Sequence, residues 1–190
     1  MHNTVKQYSY HKHGRDIVHR WENNPVISID NLGFKCADIH NAGVAQFNNQ
    51  ILMLITIENL AGQKCLHLAK PTNAHTYSVC SEPLISPTND QSDKQHESRG
   101  IMEARITLIN DTYYIMYTAQ GEHGYRLGLA STRDFKAVKR IGLISQPDTK
   151  AGALFPVKIN GCYVRLERPC ECGSIWISYS QDLIYWGKSE

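Results

Sequence analysis

Two thiols one residue apart, Cys170 and Cys172, and two imidazoles one residue apart, His11 and His13, are the first groups in this 190-residue chain whose type and spacing suggest chemistry. Thiolates ligate soft metals and exchange disulfides, and imidazole ligates zinc or carries protons. Cys170-Glu171-Cys172 lacks the two-residue spacer of a zinc or thioredoxin site, and no second close pair exists. A structural role is therefore expected for it. The same holds for Cys36, Cys65, Cys80 and Cys162, several of which lie in or beside strand patterns where a thiol packs as a small hydrophobe. His11 and His13 fall in a polar segment, residues 1–19, that reads as an N-terminal arm rather than a ligand set. No metal site is expected.

Charge adds exclusions. The net charge is +2, with Lys and Arg scattered and no basic run interleaved with aromatics, so nucleic acid is not an expected partner. The apolar runs fall well short of the ~20 residues of a membrane span. The first residues, MHNTVKQYSYHKHGRD, lack the apolar core of a signal peptide, and a cytoplasmic location is expected. At 42% hydrophobic and 20% charged the chain has a globular composition.

The elements that must position any site are repeated three times. QFNNQILMLITIE (residues 46–58), LINDTYYIMYTAQ (108–120) and KINGCYVRLERP (158–169) each read as an apolar run, a two-residue polar turn and a second apolar run, the pattern of a β-hairpin. The turn asparagines Asn48, Asn110 and Asn160 are 62 and 50 positions apart, spacings that suit stacked four-stranded blades. Each hairpin is followed by another: CLHLAKPTNAHTYSV (65–79), LGLASTRDFKAVKRIG (127–142) and IWISYSQDLIYWGK (175–188), each with a polar turn centred on Asn or Asp. Two hairpins make one propeller blade. Inner strands buried on both faces can be apolar throughout, as residues 51–57 nearly are. The expected fold is an all-β propeller with blades at about residues 40–99, 100–150 and 151–190.

Six collinear segments carry a family resemblance: RWENNPVI (20–27), HNAGVAQFNNQ (40–50), GIMEARITLINDTYYIMYTA (100–119), LASTRDFKAVKRIGLI (129–144), KAGALFPVKINGCYVRLERP (150–169) and IWISYSQDLIYWG (175–187). Together they resemble glycoside hydrolase family 130, the β-mannoside phosphorylases and related β-mannosidases. The resemblance implies a five-bladed β-propeller with its site in the central funnel. It also implies cleavage of a β-mannosidic bond with inversion, in an oligosaccharide or glycoconjugate, by phosphate or by water. Inverting hydrolysis uses two carboxylates, one as acid and one to activate water. Phosphate is already an anionic nucleophile, so a phosphorylase needs one acid and groups that hold the anion in line. No cofactor is expected beyond inorganic phosphate as co-substrate.

The family's acid lies in a Glu-Asp-Pro-Arg motif, which aligns here with Met102-Glu103-Ala104-Arg105. Glu103 thus stands at the position of the catalytic Asp, with a side chain one methylene longer. By the resemblance Arg105 pairs with it or orients a sugar hydroxyl or phosphate. An Arg-x-Glu-Asp motif aligns with Thr56-Ile57-Glu58-Asn59, so Glu58 is a candidate acceptor for mannose hydroxyls while the cation is absent at Thr56. Asn41 matches a position at the sugar site. Arg168 and Lys150 are the phosphate-site candidates, with Lys150 read as a loop residue. Glu167 must point away from Arg168 if an anion is to bind there, as strand alternation would make it do. Trp21, Tyr117, His123, Tyr125 and Trp176 are aromatics able to stack on a sugar, although most aromatics at strand positions are core, and no more than one or two are expected at a ligand.

These readings predict a mannoside phosphorylase, with β-mannoside hydrolase as the alternative and a non-catalytic glycan-binding propeller or inactive fragment as the reading from another class. About three blades fit within the chain where the family has five. The chain is therefore expected to be the N-terminal portion of a longer enzyme, truncated at its C-terminus, with a homo-oligomer of arcs as the alternative.

Overall fold

A computed structural model describes residues 21–187 apart from residues 74 and 172. Its strands group as the repeats require. β1 (Asp38–Phe47), β2 (Gln50–Glu58), β3 (Lys64–Pro71) and β4 (Tyr77–Val79) form one antiparallel meander, and β5 (Gly100–Ile109), β6 (Thr112–Gly121), β7 (Gly124–Thr132) and β8 (Lys139–Leu143) form a second. A single parallel pair, Lys64↔Gly100, joins β3 to β5, and β9 (Thr149–Leu154), β10 (Tyr163–Pro169) and β11 (Trp176–Ser180) form a separate sheet in the order β11-β10-β9. The molecule is an arc of three consecutive propeller blades. No α-helix, and so no helix able to cross a membrane, occurs among the described residues.

The inner hairpins turn where the asparagines predict. Asn48 and Asn49 have φ of 47° and 60°, and Asn160 and Gly161 have φ of 50° and 79°. Two successive left-handed residues match the twist of the flanking strands, and Asn tolerates that conformation better than most side chains. The outer turns share a different device. The Oδ1 of Asn73, Asp134 and Asp182 each accepts two main-chain N–H groups, those of His75 and Thr76, Lys136 and Ala137, and Ile184 and Tyr185. These amides hold the Asp134 and Asp182 carboxyls below the ordinary aspartate range. The expected return strand of the third blade does not form within the described residues, because the run after Asp182 makes a single ladder-like bond, from the Gly187 N–H to the Tyr179 carbonyl.

Burial follows the repeat. Leu54 and Met116 stand six residues after Asn48 and Asn110. They are 0% and 1% exposed, packed against Ile101 and Ala104 of β5 and against Leu154 of β9, each in the following blade. Leu166, six residues after Asn160, is 39% exposed. The blade order therefore runs one way, each blade covering the inner hairpin of the one before it.

The long connection from the first blade to the second is pinned by a buried carboxylate. Glu97, 1% exposed, accepts from Arg140 Nη1 at 2.8 and 3.1 Å, from the Thr88 N–H at 2.6 Å and from the Tyr117 hydroxyl at 3.2 Å. Arg140 also donates to the Tyr117 oxygen at 2.8 Å and to the Ser86 carbonyl. Burial, followed by the Glu97 charge, pushes the Tyr117 phenol well above its usual range. Tyr117 is thus committed to the core, and it is withdrawn from the aromatics able to meet a sugar.

Candidate active site

The first strand of every blade carries an irregularity at the same place. Pairing of β1 with β2 jumps from His40↔Thr56 to Gly43↔Leu54, that of β5 with β6 from Met102↔Thr118 to Arg105↔Met116, and that of β9 with β10 from Lys150↔Arg168 to Gly152↔Glu167. Within these bulges Asn41, Glu103 and Ala151 have φ of 46°, 59° and 60°. A bulge with a left-handed residue re-aims a side chain out of the strand's alternation. Glycine lets the first two bulges meet: a Cβ on Gly43 would lie 2.7 Å from the Ala104 carbonyl oxygen.

Glu103 is consequently shielded from solvent. Its side chain is 13% exposed. Asn41 Nδ2 donates to Oε1 at 3.2 Å, Thr118 Oγ1 donates to Oε2 at 3.3 Å, and Lys150 Nζ lies 3.6 Å from Oε1. The Glu103 main-chain N–H, freed from the ladder by the bulge, donates to Thr56 Oγ1 at 3.0 Å. One carboxylate thus collects partners from all three blades.

Lys150 lies on β9 and not in a loop, which corrects the sequence reading. Arg168 is its cross-strand neighbour on β10. Like charges placed directly opposite on a sheet repel, and here only one of them meets a carboxylate. Among the described residues Arg168 makes no side-chain hydrogen bond or ion pair. Glu167 points to the other face, as alternation predicts, where it pairs with Arg165 at 2.6 Å in a buried bridge. Burial pulls the Arg165 guanidinium down to about 10, against the opposing effect of Glu167. Lys150 Nζ also sits 5.1 Å from the Tyr125 ring centroid, which brings Tyr125 to the cluster.

Two candidates make other contacts. Arg105 is exposed and donates to its neighbour's carbonyl, Ala104 O, at 2.9 Å, rather than pairing with Glu103. The extra residue of the bulge breaks the rule that residues two apart share a face. Glu58 pairs with Lys64 Nζ at 3.2 Å at the end of β2. Of the other aromatics, Trp21 tilts onto His75 with centroids 4.7 Å apart, exposed His123 lies 5.8 Å from His96, and Trp176 lines a cavity with Arg165, Glu167 and Trp186. Cys170 is exposed, and Cys172, His11 and His13 lie outside the described residues.

Sequence reasoning missed Thr56 and Thr118 as members of the site. The signal was present in the repeat: Thr56, Thr118 and Arg168 each stand eight residues after Asn48, Asn110 and Asn160. Likewise Asn41 and Glu103 each stand seven residues before Asn48 and Asn110.

The family model described as glycoside hydrolase 130, beta-1,4-mannooligosaccharide phosphorylase, matches residues 9–190. The chain belongs to this family. Among curated proteins of family 130 it is 26% identical to the beta-1,2-mannobiose phosphorylase of Listeria innocua, over 90% of this chain and 64% of that protein. It is 24% identical to the beta-1,4-mannooligosaccharide phosphorylase of Ruminococcus albus, over 92% of this chain and 54% of that protein. The solved structure of the Listeria innocua enzyme in complex with beta-1,2-mannobiose superposes with a TM-score of 0.79 at 24% identity, covering 90% of this chain and 65% of that one. The chain thus spans between about half and two thirds of the length of these family 130 relatives.

Proposed function

We propose that the protein of which this chain forms at least part cleaves β-mannosides by phosphorolysis with inversion, releasing mannose 1-phosphate. The observation that carries the reading is the juxtaposition of one shielded carboxylic acid, Glu103, with two cross-strand cations, Lys150 and Arg168. Mannoside phosphorylases among the relatives support the reaction class.

In this mechanism Glu103 delivers its proton to the leaving glycosidic oxygen as the bond from C1 to that oxygen breaks. A phosphate oxygen forms the new bond to C1 from the opposite face. The phosphate that attacks as the hydrogen phosphate dianion loses its proton, which restores the acid form of Glu103, so protons balance over the cycle. Lys150 and Arg168 hold the phosphate as charge-assisted donors, Arg168 being suited to a bidentate grip. Oε1 of Glu103 is engaged by Asn41 and Lys150, so Oε2, with Thr118 as its donor, is the oxygen that carries the transferable proton. Asn41 and Tyr125 are the neighbours best placed to meet the sugar.

Incubating the full protein with β-1,2- and β-1,4-mannobiose, with and without phosphate, tests this. Mannose 1-phosphate formed in proportion to added phosphate is the expected result. Equal release of mannose without phosphate would establish a hydrolase, and mannoside binding without turnover a glycan-binding propeller. A further expected outcome is that Lys150→Met raises the phosphate KM by about 30-fold, the size of one charge-assisted hydrogen bond, with the mannoside KM changed far less. Steady-state kinetics against each substrate separately would show it.

A further inference from the structure

We infer that Thr118 and Thr56 are positioning residues: two buried threonines, each reaching from one blade to the bulge of the next, hold the Glu103 carboxyl group and main chain in place. This rests on the reading of Glu103 as the acid, and goes beyond it by assigning what orients that acid.

A hydroxyl has one hydrogen and two lone pairs. Thr118 Oγ1 is fully buried and lies 3.2 Å from the Ala151 N–H. An amide N–H can only donate, so it occupies a lone pair of the hydroxyl and leaves the hydroxyl hydrogen for Glu103 Oε2, 3.3 Å away. With the Ala151 N–H on one lone pair, the hydroxyl hydrogen is turned to Glu103 Oε2 whenever that oxygen is unprotonated. Thr118 sits on β6, Ala151 on β9 and Glu103 on β5, so one side chain ties the acid's own blade to the following one.

Thr56 acts on the other half of the same residue. It is fully buried on β2, and its oxygen accepts the Glu103 N–H at 3.0 Å. Glu103 holds a left-handed φ of 59°, a conformation that disfavours a non-glycine residue and persists where its surroundings impose it. Thr56 supplies the acceptor that the bulged amide loses from its ladder. The two threonines occupy the same place in successive repeats, and each serves the bulge of the following blade. At the third such place stands Arg168, a group with no acceptor atom, which joins Lys150 instead. The position that secures the acid in the first two blades is given over to the cation pair in the third.

The test is the pair Thr118→Val and Thr118→Ser, made in the full protein and read by steady-state kinetics, pH profile and thermal melting. Val keeps the shape and removes the hydroxyl, while Ser restores it. The expected result is a kcat about 20-fold lower for Val, with both KM values within about twofold of the parent. The alkaline limb of the kcat profile, set by ionisation of the acid, shifts, and Ser recovers most of the activity. A purely structural threonine would lower the melting temperature of Val without moving the pH profile, and that result overturns the inference, as does a Val variant with kcat within twofold of the parent. Should Val fail to fold, Thr56→Ser and Thr118→Ala measured alongside Thr118→Ser carry the same comparison. Glu103→Gln separates the two levels: if that variant retains turnover the acid assignment fails, whereas an inactive Glu103→Gln beside a fully active Thr118→Val sinks the positioning role alone.

Discussion

Glu103→Gln is expected to lower kcat by about 10³-fold, the scale of a general acid's contribution, while mannoside affinity stays within a few-fold of the parent. Gln is close to Glu in shape and keeps a carbonyl oxygen able to accept from Asn41 Nδ2 or Thr118 Oγ1, the two neutral donors that contact Glu103 at 3.2 and 3.3 Å. It lacks the transferable proton. The leaving oxygen of an unactivated mannoside must then depart as an alkoxide, and phosphate at Lys150 and Arg168 has nothing to displace. Isothermal titration with a mannobiose, set beside the kinetics, separates lost chemistry from lost binding. A variant with parental kcat would end the case for Glu103 as the acid. Aryl mannosides with good leaving groups offer a sharper reading, because their departure needs little protonation. Their turnover by the Gln variant should fall far less than that of a mannobiose.

The second large effect is on stability. Glu97→Ala is expected to destabilise the protein by about 3 kcal/mol, because removing one partner of a buried ion pair strands the other groups. At this chain length that corresponds to a melting temperature about 6–12 °C lower. The groups stranded are Arg140 Nη1, the Tyr117 hydroxyl and the Thr88 N–H, all of which point at Glu97. Tyr117→Phe, which takes one hydroxyl from the same network and leaves the ion pair, should cost about 1 kcal/mol. Calorimetry on the three proteins checks the ranking. A Glu97→Ala variant as stable as Tyr117→Phe would show that water enters and replaces the carboxylate. The connection pinned by Glu97 leads directly into β5, so a loosened Glu97 also loosens the approach to Glu103.

Much of this architecture is legible in the one-dimensional chain, because blades are built from local pairings. Asn48, Asn110 and Asn160 mark the inner hairpins through an intrinsic tolerance of left-handed φ, and Asn73, Asp134 and Asp182 mark the outer ones through carboxamide or carboxylate acceptance of nearby amides. Those are interactions between residues a few positions apart. The same locality explains why Leu54 and Met116 can be matched to Leu166 by counting from the turn, and why Thr56, Thr118 and Arg168 fall on one position.

The composition of the site was decided elsewhere. Glu103 meets Thr56 and Lys150 across 47 positions of sequence, and Asn41 across 62. Such contacts depend on how one blade sits on the next. The bulges decide more still: one extra residue breaks the strand's alternation, so Arg105 bonds the Ala104 carbonyl and does not pair with Glu103, although strict alternation would place both on one side. Lys150 reads as a loop lysine in the sequence but lies on β9 opposite Arg168, and Glu58 pairs with Lys64 at the end of β2. Tyr117 became core through Glu97, a residue outside every hairpin repeat. The sequence by itself determined the repeating strand-turn-strand units and the family they belong to, since both are written in local pattern. Only the tertiary structure decided which carboxylate, cations and threonines share a site, because bulge register and blade stacking act between residues that the chain keeps far apart.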